Sequence, residues 1–189
     1  MPKAFLPGSQ QVAIEGHNFT FPWFTYLSQI STRIGGNKDY SLGGLLATDT
    51  TTTGNVGAGE DNLISYSLPR NTLGGNNDTL EVLAFGTFAD NANNKTVKLK
   101  IGSTTLFTTG AVAFRNQDWA IKSTIIRTAA ATQKAVTTFY TDYADITNIV
   151  DYVAGTENLA TDLVIKCTGE ATSDNDIVQQ GLIIKNFPR

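Results

Sequence analysis

The stretch TLEVLAFGTFADNANNKTVKLKI, Thr79–Ile101, decides the fold of this chain. Its first run places Leu80, Val82 and Ala84 on one face of an extended strand, because strand side chains alternate between two faces. In its second run, residues 96–101, apolar and polar residues alternate in the same way. The polar segment DNANN joins the two runs, so the stretch predicts a hairpin of a β-sandwich.

The same alternation extends over the rest of the C-terminal two thirds of the chain. We expect a first strand at Leu63–Leu68 and further strands near 103–109, 118–128, 132–142, 149–153, 161–169 and 176–186. Short strands separated by turn-rich segments favour an all-β sandwich or barrel over an α/β sheet. Eight or nine strands suit a two-sheet jelly roll, so the predicted fold class is an all-β jelly-roll β-sandwich.

The N-terminal residues 1–34 predict an extended arm followed by one short α-helix. Pro22 suits a first helical turn and Gly35 follows the last, so we expect the helix over residues 22–34. An isolated helix of about 13 residues is marginal in water, so its apolar face needs a partner surface. That surface is either the β domain or the helices of neighbouring copies. The predicted anchoring residues are Phe21, Trp23, Phe24, Leu27, Ile30 and Ile34.

The domain organisation predicted from composition has three parts. Residues 1–34 form the arm and anchoring helix, residues 35–61 form a Gly/Thr-rich linker, and residues 62–189 form the jelly-roll sandwich. Low hydrophobicity and many glycines are typical of linkers or long surface loops.

Composition excludes several classes of protein. The net charge of −3 provides no basic stripe for phosphates, so we expect no nucleic-acid partner. The apolar runs are too short for a transmembrane helix, and Met1–Gly8 lacks a secretory pattern, which predicts assembly in a cytoplasm. Charged residues are only 16% of the chain, which favours packing against identical copies because few charges lose their water. A monomer with a polar exterior is the alternative.

Groups that carry chemistry are few. Cys167 falls in an alternating apolar run and is expected to be a buried thiol. His17 is the single histidine and lies away in sequence from the β-strand carboxylates. The aspartates at 142, 145, 151, 174 and 176 match no compact calcium loop and are expected to serve turns. We therefore predict a protein that is not an enzyme, with no cofactor and no metal.

Aromatic residues near position 140 are candidates for ligand contact. Tyr140, Tyr143 and Tyr152, with Phe139, could form a stacking platform for a glycan. Packing in the core or along the axis of an assembly of identical copies explains these residues equally well.

Three segments, residues 80–110, 118–136 and 177–187, resemble a domain of tailed-bacteriophage virion proteins. The likeness lies in the loop Asn91–Thr96 and in the strand Trp119–Thr128 with the Gln-Lys-Ala that follows it. The resemblance implies a trimeric jelly-roll head of a tail fibre, tail tip or capsid-decoration protein, with no catalytic residues.

The expected function is therefore that of a structural virion protein, assembled in the host bacterial cytoplasm. It attaches by its N-terminal region and displays a trimeric β head as a tail fibre or receptor-binding component. Its expected partners are copies of itself, other virion proteins of tail or capsid, and a host surface glycan, with no membrane insertion. The alternatives are a capsid decoration or head-fibre protein that stabilises the capsid, and a stand-alone carbohydrate-binding module.

Overall fold

A computed structural model describes residues 44–142 and 149–189, together with the backbone of residues 13–14 and 17–18. The chain divides into two units, Met1–Leu42 and Gly43–Arg189. In the first unit, strand β1 (Ala13–Ile14) pairs antiparallel with strand β2 (His17–Asn18). The helix predicted over residues 22–34 lies outside the described residues. So do its predicted anchoring side chains, which are Phe21, Trp23, Phe24, Leu27, Ile30 and Ile34.

The described part of the second unit consists of strands joined by turns. They are β3 (Gly44–Asp49), β4 (Thr53–Gly54), β5 (Gly59–Leu68), β6 (Thr79–Phe88), β7 (Thr96–Ile101), β8 (Thr104–Thr108), β9 (Asp118–Ala129), β10 (Thr132–Thr141), β11 (Ile149–Gly155), β12 (Leu163–Ala171) and β13 (Ile177–Phe187). Among the described residues, no helix has the length and apolar composition needed to cross a membrane.

These strands form two antiparallel sheets. The larger, seven-stranded sheet has the order β11-β10-β9-β6-β13-β3, with the short β4 also paired to β13. The smaller sheet has the order β5-β12-β7-β8. The predicted all-β sandwich is confirmed. The predicted strands match the observed ones to within a few residues, since alternating burial marks each strand independently of its neighbours.

The core lies between the two sheets. The inward residues of β6 and β7 are those that the alternation predicted, from Leu80 and Val82 to Leu99 and Ile101, and all of them are buried. Aromatic rings join the sheets: Phe107 of β8 stacks on Phe139 of β10 with ring centroids 5.3 Å apart. Burial of such side chains contributes about 2 kcal/mol each, so this interior is the main source of stability.

Residues 44–61 differ from the predicted linker. Strands β3 and β4 lie within this segment and pair with β13, and β5 begins at Gly59 rather than near Leu63. The buried Asn55 adds to this attachment, because its Oδ1 accepts the backbone N–H of Ile177 at 2.9 Å and its Nδ2 donates to the carbonyl of Ser173 at 2.9 Å. A polar, glycine-rich segment thus becomes an edge of the sandwich through backbone pairing that local composition does not reveal.

A β-bulge in β13 shapes the outer face of the larger sheet. The register between β13 and β6 shifts between Gln179 and Gly181, so Gln180 is the extra residue. The buried Gln179 secures the bulge, since its side chain donates to the carbonyl of Gly181 at 3.0 Å and accepts the N–H of Ile64 at 2.9 Å. Bulges often redirect side chains beside binding sites.

Candidate functional site

A shallow groove lies on the outer face of the seven-stranded sheet, beside the bulge of β13. Its volume is about 630 Å³. It is lined by residues of β6, β9, β10 and β13 and by the residue just after β10. These are Phe85, Gly86, Thr87, Asp118, Trp119, Ala120, Tyr140, Thr141, Asp142 and Gln180. We call this surface the aromatic groove.

One row of cross-strand partners forms the apolar part of the aromatic groove. Tyr140 of β10 pairs with Ala120 of β9, Ala120 pairs with Phe85 of β6, and Phe85 pairs with Gly181 of β13. Because neighbouring strands lie about 4.8 Å apart, the backbones of Tyr140 and Phe85 stand roughly 10 Å apart with Ala120 between them. Ala120 contributes only a methyl group, so the row has a gap between its two aromatic side chains.

Glycine at position 181 accommodates the ring of Phe85. A Cβ built on Gly181 would overlap that ring, so the ring lies against the backbone of β13. The Phe85 side chain therefore covers β13, on the side of Phe85 away from Tyr140. The gap over Ala120 lies between these two aromatic residues.

A second row, two residues further along the strands, supplies polar groups. Asp118 of β9 pairs with Thr87 of β6, and Asp142 lies just beyond the last residue of β10. The backbone N–H of Asp118 donates to Oδ1 of Asp142 at 3.2 Å, which orients the Asp142 carboxylate beside Asp118. Among the described residues that line the groove, two are carboxylates and none is Lys, Arg or His, so these residues together carry negative charge.

The floor beneath the groove is closely packed. The Trp119 side chain is buried on the core side, and its Nε1 donates to the carbonyl of Thr87 at 3.3 Å. A Cβ on Gly86 would overlap the carbonyl oxygen of Val178 and lie 2.7 Å from the indole, so glycine is needed for this packing. Such a preformed surface binds a ligand with little ordering cost.

The structure separates the predicted glycan contacts. Tyr140 is 42% exposed and lines the groove. Tyr152 is 60% exposed but pairs with Val136, four residues and about 13 Å along β10 from Tyr140. Phe139 is buried in the core, which is one of the two alternatives that the sequence left open for it. Tyr143 lies outside the described residues.

Sequence reasoning missed Phe85, Ala120 and Asp118 as contributors to this surface. A signal for Phe85 was present, since Leu80, Val82 and Ala84 point inward and Phe85 therefore falls on the outward phase of β6. A phenylalanine on a solvent-facing phase of a strand marks a surface worth considering. The row of cross-strand partners that connects Phe85 to Tyr140 depends on the order of the strands in the sheet, which the sequence pattern does not show.

A buried polar cluster secures the loop between β6 and β7. The ammonium group of Lys95 donates to Oδ1 of Asn91 (2.8 Å) and to the carbonyls of Asn93 (3.1 Å) and Phe114 (2.8 Å). Burial lowers the pKa of Lys95, and the charge of Asp176 opposes this effect. Burial also acts to raise the pKa of Asp176, but hydrogen bonds from Asn91, Asn93 and Ser173 hold it below its usual value. The polar groups of this cluster are therefore used in hydrogen bonds that stabilise the loop.

Two further carboxylates serve the smaller sheet. On its outer face, hydrogen bonds from Lys100 and Lys98 lower the pKa of Glu60 to about 2. At the β7–β8 turn, Oε1 of Glu157 accepts the backbone N–H groups of Ser103 (2.9 Å) and Thr104 (2.8 Å) and both of their hydroxyls. Although burial acts against it, these donors hold the pKa of Glu157 below its usual value. Both carboxylates therefore stabilise the fold by connecting neighbouring segments.

Reactive and metal-binding groups are scarce in the described part of the chain. Cys167 is buried, as predicted, and burial raises the pKa of its thiol to about 12. Within residues 44–142 and 149–189, no cluster of three or more His, Cys, Asp or Glu side chains could hold a metal ion. Of the aspartates considered above, Asp174 accepts the N–H of Gly57 at 2.5 Å and so connects the β12–β13 turn to the segment between β4 and β5.

Comparison with known proteins gives one weak likeness. No family model matches the chain, and no curated protein matches it. A solved structure, the CBM2 module of the evolved Dit of Lactobacillus casei BL23 phage J-1, shares 12% sequence identity with it at a TM-score of 0.33. The match covers 64% of this chain and 67% of that one. A likeness of this strength identifies neither a family nor a ligand.

Proposed function

We propose that this chain is a structural virion protein of a bacteriophage, a tail fibre or receptor-binding component whose β-sandwich is the host-facing head. The observation that carries the proposal is the aromatic groove, an open, preformed surface with Tyr140 at its rim. The resemblance of residues 80–110, 118–136 and 177–187 to phage virion domains supports the virion setting. The N-terminal residues 1–34 attach the chain to the particle.

The head has jelly-roll connectivity in this proposal. A jelly roll contains two four-stranded sheets formed by two Greek keys. The orders β3-β13-β6-β9 and β5-β12-β7-β8 fit that plan if the strands β3, β5 to β9, β12 and β13 are taken as its eight strands. Strands β10 and β11 are then an added hairpin that extends the larger sheet beyond β9. Tyr140 belongs to this hairpin.

The protein acts by binding and not by catalysis. The described lining of the aromatic groove contains no Ser, Cys, His or Lys that could act as a nucleophile or base beside its carboxylates. Asp142 is engaged with a backbone N–H of the neighbouring strand. Aromatic side chains and hydrogen-bonding oxygens suit the holding of a ligand.

The head assembles as a homotrimer in this proposal. The low content of charged residues supports close packing between copies, because few charges need to lose water. Exposed apolar side chains near the β11 edge add support: Val136 is 44% exposed and Val150 is 65% exposed. Mass measurement of the purified protein is expected to give three copies of 20.3 kDa. A monomer at micromolar concentration would contradict a self-sufficient trimer.

Location in the particle tests the proposal. Antibody against residues 62–189 should label the tail end of intact virions in electron micrographs, and the purified full chain should compete with virions for adsorption to host cells. Tyr140→Ala protein should lose that competition, whereas Tyr152→Ala protein should keep it. Label over the capsid would instead identify the decoration protein, and the absence of label would favour a stand-alone binding module.

A further inference from the structure

We infer that the aromatic groove binds one uncharged pyranose unit of a glycan, seated over Ala120 between Tyr140 and Phe85. The inference rests on the proposed function, because it specifies the ligand of the same surface. It depends on the two rows of the sheet, one apolar and one polar, that the strand register brings together.

The apolar row matches one face of a sugar ring. A pyranose carries C–H groups on its faces, and aromatic side chains provide apolar area with a polar tip in Tyr140. The gap over Ala120 is bounded on both sides by aromatic residues whose backbones stand about 10 Å apart. The ring of Phe85 lies against Gly181, on the side of Phe85 away from Tyr140, so it leaves the space over Ala120 open before a ligand arrives.

The polar row matches the hydroxyl groups of the same ring. Asp118 and Asp142 lie two residues along their strands from Ala120 and Tyr140, a distance of about 7 Å. An ionised carboxylate only accepts hydrogen bonds and has about four acceptor positions. One oxygen of Asp142 accepts the N–H of Asp118, which leaves acceptor capacity for ligand hydroxyls. Gln180, whose Oε1 accepts from Thr52 Oγ1 at 3.0 Å, adds an amide to the rim.

The negative charge of the groove disfavours the binding of acidic sugars and phosphate-bearing polymers. Such ligands present acceptors and negative charge to a lining whose described residues include two carboxylates and no basic side chain. Like charges at this separation repel, and the acceptors of both partners would lack donors. A ligand with many hydroxyl donors and no charge fits both rows.

A cation is the competing ligand, since an aromatic face beside a carboxylate also attracts ammonium groups. The groove favours the pyranose because its aromatic residues bound a gap in a row and the carboxylates lie about 7 Å away in the next row. A quaternary ammonium group, in contrast, is bound best where aromatic rings and a carboxylate surround the same point.

The test is ligand-observed NMR and calorimetry on the full chain with four probes. These are methyl glycosides of neutral hexoses, methyl glucuronide, poly(glycerol phosphate) and tetramethylammonium. We expect saturation transfer to at least one neutral glycoside and none to the three charged probes. Transfer to no neutral glycoside at millimolar concentration, or equal binding of any charged probe, would overturn the inference.

Matched variants locate the site. Ala120→Leu fills the gap without removing a polar group, and Tyr140→Ala removes one wall, so each should weaken neutral-sugar binding at least tenfold. Ala154→Leu and Tyr152→Ala make the same changes on β11, whose described residues lie outside the groove, and should bind within twofold of wild type. Asp118→Asn should weaken binding about tenfold, and Asp151→Asn should leave it unchanged.

The outcomes separate the two proposals. If Ala120→Leu protein keeps wild-type affinity while its fold is unchanged by circular dichroism, the pyranose site is not in this groove. Tail-end labelling of virions would then still support the proposed function. Capsid labelling combined with groove-dependent sugar binding would overturn the receptor-binding function and leave this inference standing.

Discussion

The ring of Phe85 lies against the backbone of Gly181, across the β6–β13 pair on the outer face of the seven-stranded sheet. This contact connects the bulge of β13 to the aromatic groove, because the residue that follows the bulge must lack a side chain for the ring to lie there. The shape of the groove therefore depends on a glycine that does not itself line it.

Gly181→Ala should lower the free energy of unfolding by about 1–3 kcal/mol, because the new methyl group displaces the Phe85 ring. Urea denaturation measures this change. Gly75→Ala is the matched control, since a Cβ there meets the Asp78 carboxylate at an ordinary 3.5 Å. In a Phe85→Ala background the cost of Gly181→Ala should largely disappear. An equal cost in both backgrounds would mean that the ring contact is not its cause.

Lys95→Met should destabilise the sandwich by about 3 kcal/mol. The ammonium group is the shared donor for the oxygens of Asn91 and Asn93, and its loss leaves the buried Asp176 charge without its compensating cation. Lys134→Met, an exposed lysine of β10, should change stability by less than about 0.5 kcal/mol. Similar losses for both variants in urea denaturation would contradict a specific role for the buried cluster.

Stability should depend on Glu60 at acid pH. The pKa of Glu60 is about 2 in the folded protein against an ordinary value of 4.5, so folding favours its ionised form. This stabilisation is fully present above pH 4.5 and is lost as the pH falls toward 2. The group is partly solvated, so we expect about 1 kcal/mol at most. Comparing Glu60→Gln with wild type by urea denaturation at pH 7 and pH 3 should show a difference at pH 7 that shrinks at pH 3; a constant difference would refute this role.

Glu157→Ala should loosen the β7–β8 turn. The variant removes the one oxygen that accepts both N–H groups and both hydroxyls of Ser103 and Thr104. We expect the amides of these two residues to exchange with solvent at least tenfold faster, while the amides of β6 stay protected. Glu157→Gln keeps an acceptor oxygen and should show a smaller increase. Unchanged amide exchange in Glu157→Ala would show that the stability of the turn does not depend on Glu157.

The double variant Trp23→Ala/Leu27→Ala should abolish incorporation into virions while leaving the sandwich folded, because it removes the predicted adhesive face of residues 22–34. Immunoblotting of purified particles measures incorporation, and circular dichroism of the free protein checks the fold. Normal incorporation would count against this segment as the anchor.

Period-two alternation alone was enough to place most strands and to orient their side chains. The inward phase of β6, from Leu80 to Phe88, is buried as predicted, and Cys167 is buried with it. Alternation is a local property, because successive side chains of any strand point to opposite faces. The same alternation places Phe85 on the outer face of β6, but it does not show which residue lies beside Phe85 on the next strand.

Only the tertiary structure decided which strands lie side by side. The row from Tyr140 through Ala120 and Phe85 to Gly181 joins the β9–β10 hairpin to β6 and β13, which are distant from it in sequence, and residues 44–54 join the larger sheet through backbone bonds to β13. Backbone hydrogen bonds are nearly independent of side-chain identity, so sequence specifies a strand's faces far more strongly than its neighbours. The alternation in this chain therefore determined what is buried, and the register across the sheet decided what the exposed residues form together.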